Sequence, residues 1–455
     1  MMRMKNVDMV HGKLIKSIIL YAIPILLMGL IQKLFNAVDV MVLGAMADTN
    51  AVASVGATSS LVHLLIDSFF GISNGTRVVL SRMLGAREEE KARKTASTSM
   101  LIAVILGVAT AVLGFVFAPI FLDWTNCPAE CLDGAVTYLR LYLLAAPAIL
   151  IYNFGSAILE VSGDTRRPLL YMMISGALNV VLNFALCMVL EEKVAAVAIA
   201  TAVSQLVGAV LVVLRLFRMD EICQLRWNRM RWSNSAFGSI MKNGLPIALY
   251  SALYPMANLQ IQAQVNSFGP AYMAGATATS NLDGILSTVA AAPMASAITA
   301  FVGQNMGAGK PERVKKTILF CSSVSIVMGL ILGVIGTLCS RPLVSLFVSE
   351  EAAIAAGRER LWYVMFPHFI ACANTCLSRV IQSFGYSTFT TVNSVVTVLV
   401  FRVFWTAVVY NANPTFGMLC LCFPVSWALA CAINLPVTLY LYFGRYKKGT
   451  LKKML

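Results

Sequence analysis

Gln32, Asn36 and Asp39 stand four and three residues apart in the first long apolar run of the chain, 18–44. On a helix that spacing places all three on one face. The run exceeds the roughly 20 apolar residues that a bilayer requires, so Asp39 would lie inside the membrane. A carboxylate there costs about 2.5–3.5 kcal/mol on insertion scales. An apolar helix keeps such a residue where it lines a polar cavity or binds something. The blander reading is a carboxylate near the helix end that reaches interfacial water. Gln32 and Asn36 continue the stripe deeper and weigh against it.

Other neutral oxygen donors fall in the same half of the chain. Asn179 and Asn183 share a face of the fifth apolar span, Thr201, Ser204 and Gln205 lie in the sixth, and Tyr152 and Asn153 close the fourth. One carboxylate with amide and hydroxyl oxygens suits a hard monovalent cation such as Na⁺. It suits equally a carboxylate that takes up and releases a proton. Taken singly, each Asn or Thr reads as hydrogen-bonding glue between membrane helices; clustered around Asp39, they read as a site. His63 and Asp67, four apart in the second span, are either a proton relay or a self-neutralising ion pair. Asp283, Arg140, Arg379 and Arg402 are further intramembrane charges, and the arginines read as partners near helix ends or in carboxylate pairs. Gln260, Gln262 and Gln264 alternate, so they cannot all face one cavity of a helix. There is no Walker A loop, no G-x-S-x-G, no H-E-x-x-H and no zinc-ligand spacing, so the expectation is a protein that is not an enzyme and has no cofactor beyond a coupling ion.

The elements that must position these residues are membrane helices. The 455 residues are 58% hydrophobic and 12% charged, with a mean hydropathy of +0.77, where soluble domains carry about 25% charged residues. Twelve apolar spans are readable between residues 18 and 443. The net charge of +14 is not spread evenly. Most of the 35 Lys and Arg fall in the N-terminal segment, in 81–95, 159–167, 215–243 and 303–316, and in the C-terminal tail. The alternate connections carry acidic residues instead. By the positive-inside rule both termini are cytoplasmic, at the plasma membrane, and the charge reports topology rather than nucleic-acid binding. The segment 215–243 reads as a cytoplasmic linker helix lying at the membrane interface. Most of the eleven cysteines lie in apolar spans as packing residues, while Cys127 and Cys131 share a loop and could pair in an oxidising space.

The chain repeats itself. Pro24 and Pro246, Gly85 and Gly307, and Gly163 and Gly385 all share an offset of 222. That offset covers six spans, an even number, so both halves cross the membrane in the same sense. The expected organisation is a cytoplasmic N-terminal segment (1–17), an N-lobe of six spans (18–217), a cytoplasmic linker (218–243), a C-lobe of six spans (244–443) and a basic cytoplasmic tail (444–455). Ile261 falls where Asp39 would repeat, so the first half alone keeps that carboxylate.

The motifs resemble the multidrug and toxic compound extrusion (MATE) family of the MOP flippase superfamily, in its DinF-like branch. They are Val38-Asp39 through Leu43-Gly44, Ser81-Arg82-Met83-Leu84-Gly85-Ala86, Gly163-Asp164-Thr165-Arg166-Arg167-Pro168, Ala200-Thr201-Ala202-Val203-Ser204-Gln205 and, most specific, Val302-Gly303-Gln304-Asn305-Met306-Gly307-Ala308-Gly309. The resemblance covers nearly the whole chain. It implies an all-α polytopic membrane protein with twelve transmembrane helices, in two parallel six-helix repeats forming a V. It implies export of cationic or amphiphilic compounds by a monomer embedded in the bilayer, in exchange for H⁺ or Na⁺. Carried over residue by residue, its cation site is Asp39, Asn179, Asn183 and Thr201, with Gln32, Asn36, Asn153, His63 and Asp67 as cavity or relay residues. Where some members have Asp, this chain has Asn183, and the Glu of others near Tyr254 is missing. The alternative is a lipid-linked oligosaccharide flippase of the same superfamily, which would move an anionic head group through a cavity rich in Arg and Lys.

Overall fold

A computed structural model describes residues 6–46, 49–124, 129–219 and 221–448. Within the first two helices, the side chains of Asn36, Asp39, His63 and Asp67 lie outside the described residues. The first half comprises α1 (Leu14–Met46), α2 (Thr49–Gly85), α3 (Glu89–Trp124), α4 (Ala129–Leu144), α5 (Ala146–Val161), α6 (Arg166–Val189) and α7 (Lys193–Arg218). The second comprises α8 (Asn234–Ser267), α9 (Pro270–Ala290), α10 (Ala292–Gly307), α11 (Pro311–Leu338), α12 (Ser340–Ser345), α13 (Glu351–Val364) and α14 (His368–Ser383). It ends with α15 (Ser387–Tyr410) and α16 (Phe416–Tyr446), both of which contain π-helical turns. No strand occurs among the described residues. With α9 and α10 taken as one span, eight of these segments are long and apolar enough to cross a membrane, or ten when each bent pair is also one span. With α2 (37 residues) and α8 (34 residues), the described residues form twelve long helical segments.

The two bent pairs are α4–α5, at 43°, and α13–α14, at 46°. They are the fourth and tenth spans, equivalent in the repeat. Pro147 in the first turn of α5 and Pro367 just before α14 each remove an N–H that a continuous helix would need.

Turn geometry repeats with the same offset as the sequence. Gly163 and Gly385 hold left-handed φ values of 88° and 87°. Each closes its helix with paired backbone bonds: Asp164 N donates to Leu159 O, and Tyr386 N to Ile381 O. At the other equivalent turn, Arg87 (φ 56°) stands where the second half has Gly309 (φ 66°). Glycine accepts this conformation without steric cost, whereas an arginine there is strained.

The chain divides into two compact units: residues 1–8 with 27–248, and residues 9–26 with 249–455. One division falls before α1, between Asp8 and Met9; the other two fall inside α1 and α8, two residues after Pro24 and after Pro246, rather than in the connection between the halves. In unit 1, Val38, Val42 and Met46 of α1 pack with Leu186 and Cys187 of α6, with Leu190 just beyond it, and with Val194 and Val197 of α7. In unit 2 the largest cluster is aromatic, with Trp405, Tyr410, Phe416, Phe423 and Trp427.

The connection before α8 corrects one expectation. Apart from a single 3-10 turn, Trp227–Arg229, residues 221–233 are not helical. Leu225 N donates back to Leu216 O, and Trp227 is 78% exposed. Cys131 is a free, buried thiol, and its expected partner Cys127 lies outside the described residues.

Candidate functional site

Three of the four residues assigned to the cation site meet in unit 1. Asn179 and Asn183, one turn apart on α6, are buried, as is Thr201 on α7. Asn183 Nδ2 donates to Asn179 Oδ1 at 3.3 Å, and Asn179 Nδ2 donates to Thr201 Oγ1 at 3.3 Å. The Thr201 hydroxyl donates in turn to Val197 O, and Ser204 to Thr201 O. These bonds form a polarised chain through neutral groups at the α6–α7 contact. In an apolar setting each member left unpaired would cost about 1–3 kcal/mol, so the chain holds itself in one arrangement.

Packing sets the level of α1 beside this chain. Gly176 of α6 lies against the Phe35 ring, so closely that a Cβ there would fall 1.8 Å from Phe35 Cε2. Farther along both helices, Val42 and Met46 of α1 share one packed cluster with Leu186 and Cys187 of α6. The two helices therefore run parallel in this stretch. Asp39 is one turn beyond Phe35 on α1, as Asn179 is one turn beyond Gly176 on α6. Backbone register thus puts Asp39 at the level of Asn179 and Asn183.

The remaining residues separate. Gln32 is exposed and Asn153 half-buried, and neither joins the Asn183–Asn179–Thr201 chain. Tyr152 is occupied elsewhere, donating to Pro168 O at 2.9 Å. Asn36 and Asp39 lie in α1, and His63 and Asp67 in α2, with side chains outside the described residues.

Unit 2 holds an ionisable pair that spacing did not reveal. His368 Nδ1 approaches Asp283 Oδ1 at 3.0 Å, and His368 Nε2 meets Ser287 Oγ at 3.2 Å. The first contact is a close charge approach rather than an aligned hydrogen bond, because both atoms lack a hydrogen bond of good geometry. Asp283 was visible as an intramembrane charge; the only signal for His368 was its position after Pro367, at the start of a span.

The arginines correct another expectation. Arg402 is buried against neutral groups: it donates to Asn258 Oδ1 at 2.8 Å and to Ser426 Oγ at 3.4 Å, and its guanidinium carbon lies 4.4 Å from the Phe423 ring centre. Arg140 donates to the Phe115 carbonyl and covers that ring. Arg360 is likewise buried in α13 and donates to Thr279 Oγ1. These cations are held by dipoles and aromatic faces.

A bundle of apolar helices, duplicated in parallel and carrying buried polar groups within its spans, defines a membrane transporter. The MatE family model matches the chain twice, over residues 24–185 and 246–408, and the chain belongs to this family. The two matches begin at Pro24 and Pro246, the offset found in the sequence. Among curated proteins it resembles the "Probable multidrug resistance protein YpnP" of Bacillus subtilis (strain 168), 26% identical over 84% of this chain and 85% of the relative. It also resembles the "Probable multidrug resistance protein NorM" of Thermotoga maritima, 26% identical over 79% of this chain and 78% of the relative. A solved structure described as the outward-facing conformation of a multidrug resistance MATE family transporter of the MOP superfamily superposes with a TM-score of 0.89. It is 20% identical, covering 98% of this chain and 100% of the other. The resemblance to the MATE family drawn from the motifs, and the all-helical duplicated fold it implied, are borne out at the level of the family.

Proposed function

We propose that this chain exports cationic or amphiphilic organic compounds from the cell in exchange for an inward cation, by alternating access. Two of its curated relatives are named for multidrug resistance, which favours export over the flipping of a lipid-linked oligosaccharide. The observation that carries the mechanism is the buried Asn183–Asn179–Thr201 chain at the backbone level of Asp39.

In this reading Asp39 is the coupling residue. Protonated, it is compatible with apolar surroundings; ionised, it costs several kcal/mol unless a cation or a donor compensates it. The Asn–Asn–Thr chain supplies polar groups on the neighbouring helices. The amide and hydroxyl oxygens of Asn179, Asn183 and Thr201 are hard donors that fit Na⁺ in kind. In this arrangement, however, Thr201 Oγ1 already accepts from Asn179 and donates to Val197, and Asn179 Oδ1 accepts from Asn183. Each of these two oxygens keeps a second lone pair, but Na⁺ needs several oxygens turned toward it at once, whereas Asp39 can take up a proton by itself. We therefore assign H⁺ as the coupling ion. Substrate leaves as Asp39 takes up the proton on the outer side, and release of the proton inside resets the protein. The protein acts as a monomer in the cytoplasmic membrane, with both termini inside.

The test is transport into proteoliposomes with pH and Na⁺ gradients imposed separately, on the wild type and on Asp39→Asn. Export driven by the pH gradient and lost in the variant supports the proposal. Full gradient-driven export by Asp39→Asn sinks it, and export driven by Na⁺ alone replaces the proton.

A further inference from the structure

Two exposed tryptophans mark the turn between α7 and α8 in unit 1. Trp227 lies against Phe217 with ring centres 5.6 Å apart, and Trp232 lies against Phe237 at 5.0 Å. Phe217 stands in the last turn of α7 and Phe237 in the first turn of α8. Each phenylalanine ends a row of outward apolar side chains. On α7 the row is Leu206, Val210 and Leu214, all exposed and four residues apart. On α8, Phe237 and Leu245 are exposed and Met241 between them is half-buried. In a membrane protein such rows face lipid. The two tryptophans therefore cap lipid-facing rows at one surface of the bilayer. Trp is enriched at that level because its ring is apolar and its N–H polar.

Hydrogen bonds hold the turn in place. Leu225 N donates to Leu216 O at 3.0 Å and Gln224 Nε2 to Phe217 O at 3.1 Å, which folds the chain back on α7. Trp232 Nε1 donates to Asn234 Oδ1 at 2.7 Å, and Ser233 N to Thr98 Oγ1 of α3 at 3.1 Å. Arg226, Arg229 and Arg231 stand beside the two rings, and all three are exposed. Arg226 Nε donates to the neutral Gln224 Oε1 at 3.0 Å. Of the two acidic residues in this connection, Glu221 accepts from Asn6 and Arg215, and Asp220 lies outside the described residues. A guanidinium binds phosphate oxygens through two parallel N–H bonds. Apolar rings at the lipid boundary with guanidinium groups around them match a phospholipid of negative charge. A soluble acidic partner would match the arginines but not the apolar rows that end under the tryptophans.

We propose that residues 226–232 form a docking surface for anionic phospholipids. Trp227 and Trp232 enter the bilayer at the level of the upper acyl chains, and Arg226, Arg229 and Arg231 hold the head-group phosphates. The surface fixes the end of α7 and the start of α8 at the membrane face, and it requires no helix in the connection.

The test places the full chain in bilayers of phosphatidylcholine with a fixed share of phosphatidylglycerol, brominated on the acyl chains of one lipid or of the other. The chain has six tryptophans, so the emission of these two is taken as the difference from the same protein carrying Trp227→Phe and Trp232→Phe. The readout is quenching of that emission per mole of label, phosphatidylglycerol over phosphatidylcholine. In the wild type the ratio should be at least about five, the worth of one arginine at an anionic surface. It should fall to about one in Arg226→Gln/Arg229→Gln/Arg231→Gln, with the melting temperature as the check on folding. If that variant does not fold, Arg229→Gln decides by a smaller fall. Equal quenching by both lipids in the wild type leaves the rings in lipid without a head-group site and overturns the proposal. Quenching by neither puts the rings in water and overturns it in favour of a soluble acidic partner. A ratio unchanged in the deciding variant overturns it as well, because the arginines are then not its cause.

Discussion

His368 Nδ1 stands 3.0 Å from Asp283 Oδ1, joining α14 to α9 inside unit 2. The His368 side chain is 3% exposed and that of Asp283 27%. The second half lacks a repeat of Asp39, yet it has an ionisable centre of its own, built from different residues on different helices. Asp283→Asn should lower stability by about 1–3 kcal/mol, because it removes the charge that faces a buried imidazole. His368→Asn combined with Asp283→Asn should cost less than the two single changes added together. Thermal denaturation of the purified protein in detergent measures both, and strictly additive losses would show that the two side chains do not interact.

The Phe35–Gly176 contact predicts that α1 is sensitive to a single methyl group. Gly176→Ala places a Cβ inside the Phe35 ring, and overpacking of this kind costs about 1–3 kcal/mol. Export should fall, because the change shifts α1 relative to Asn179 one turn away. Phe35→Ala in the same chain should restore part of it. A Gly176→Ala protein that transports normally would mean that the register of α1 on α6 is not critical.

Asn305 and Arg313, in and just after the most specific sequence motif, hold the segment before α1 by its carbonyls. Asn305 Nδ2 and Arg313 Nη2 both donate to Met9 O at 3.1 Å, Arg313 Nη2 also reaches Gly12 O at 3.1 Å, and Lys310 Nζ donates to Val10 O at 3.0 Å. Arg313 Nε in turn donates to Asn305 Oδ1 at 3.0 Å. Arg313→Ala should free residues 9–12, at a cost of about 1.5–3 kcal/mol for hydrogen bonds to a charged group. Faster proteolysis or hydrogen exchange in that segment would register the release; unchanged protection would show that the remaining donors suffice.

Glu221, in the connection after α7, carries a pH signature. Burial pushes its carboxyl above the usual range, against the hydrogen bond from Asn6 and the charge of Arg215. The folded state therefore holds this proton at pH values where the unfolded chain has lost it. Stability consequently falls as pH rises from the ordinary carboxylate range through the raised value. Glu221→Gln keeps an acceptor for Asn6, so it should flatten this slope and leave neutral-pH stability equal or slightly higher. Melting temperatures of both proteins across about pH 4–7 check it; identical slopes would remove Glu221 as the cause.

Much of this architecture is readable along the chain because its causes are local. Pro24 and Pro246, and Gly163 and Gly385, report backbone requirements that each turn or helix imposes on its own residues. The Asn179–Asn183 stripe is readable because a helix brings residues four apart together. The charged stretch 215–243 misled for the same reason: composition there reads as an interfacial helix, but the backbone turns back at Leu225.

By itself the sequence determined the membrane class, the duplication, the family resemblance and the polar stripe with Asp39. Apolar length, repeat offset and helical period are properties of contiguous residues. Only the tertiary structure decided that Asn179 donates to Thr201, that His368 faces Asp283, and that Arg402 rests on Asn258, Ser426 and Phe423. Those pairings join residues 21 or more positions apart. They are selected by which helices pack together and at what register. A buried polar group pairs with whatever the neighbouring helix presents, and helix periodicity carries no information about that neighbour.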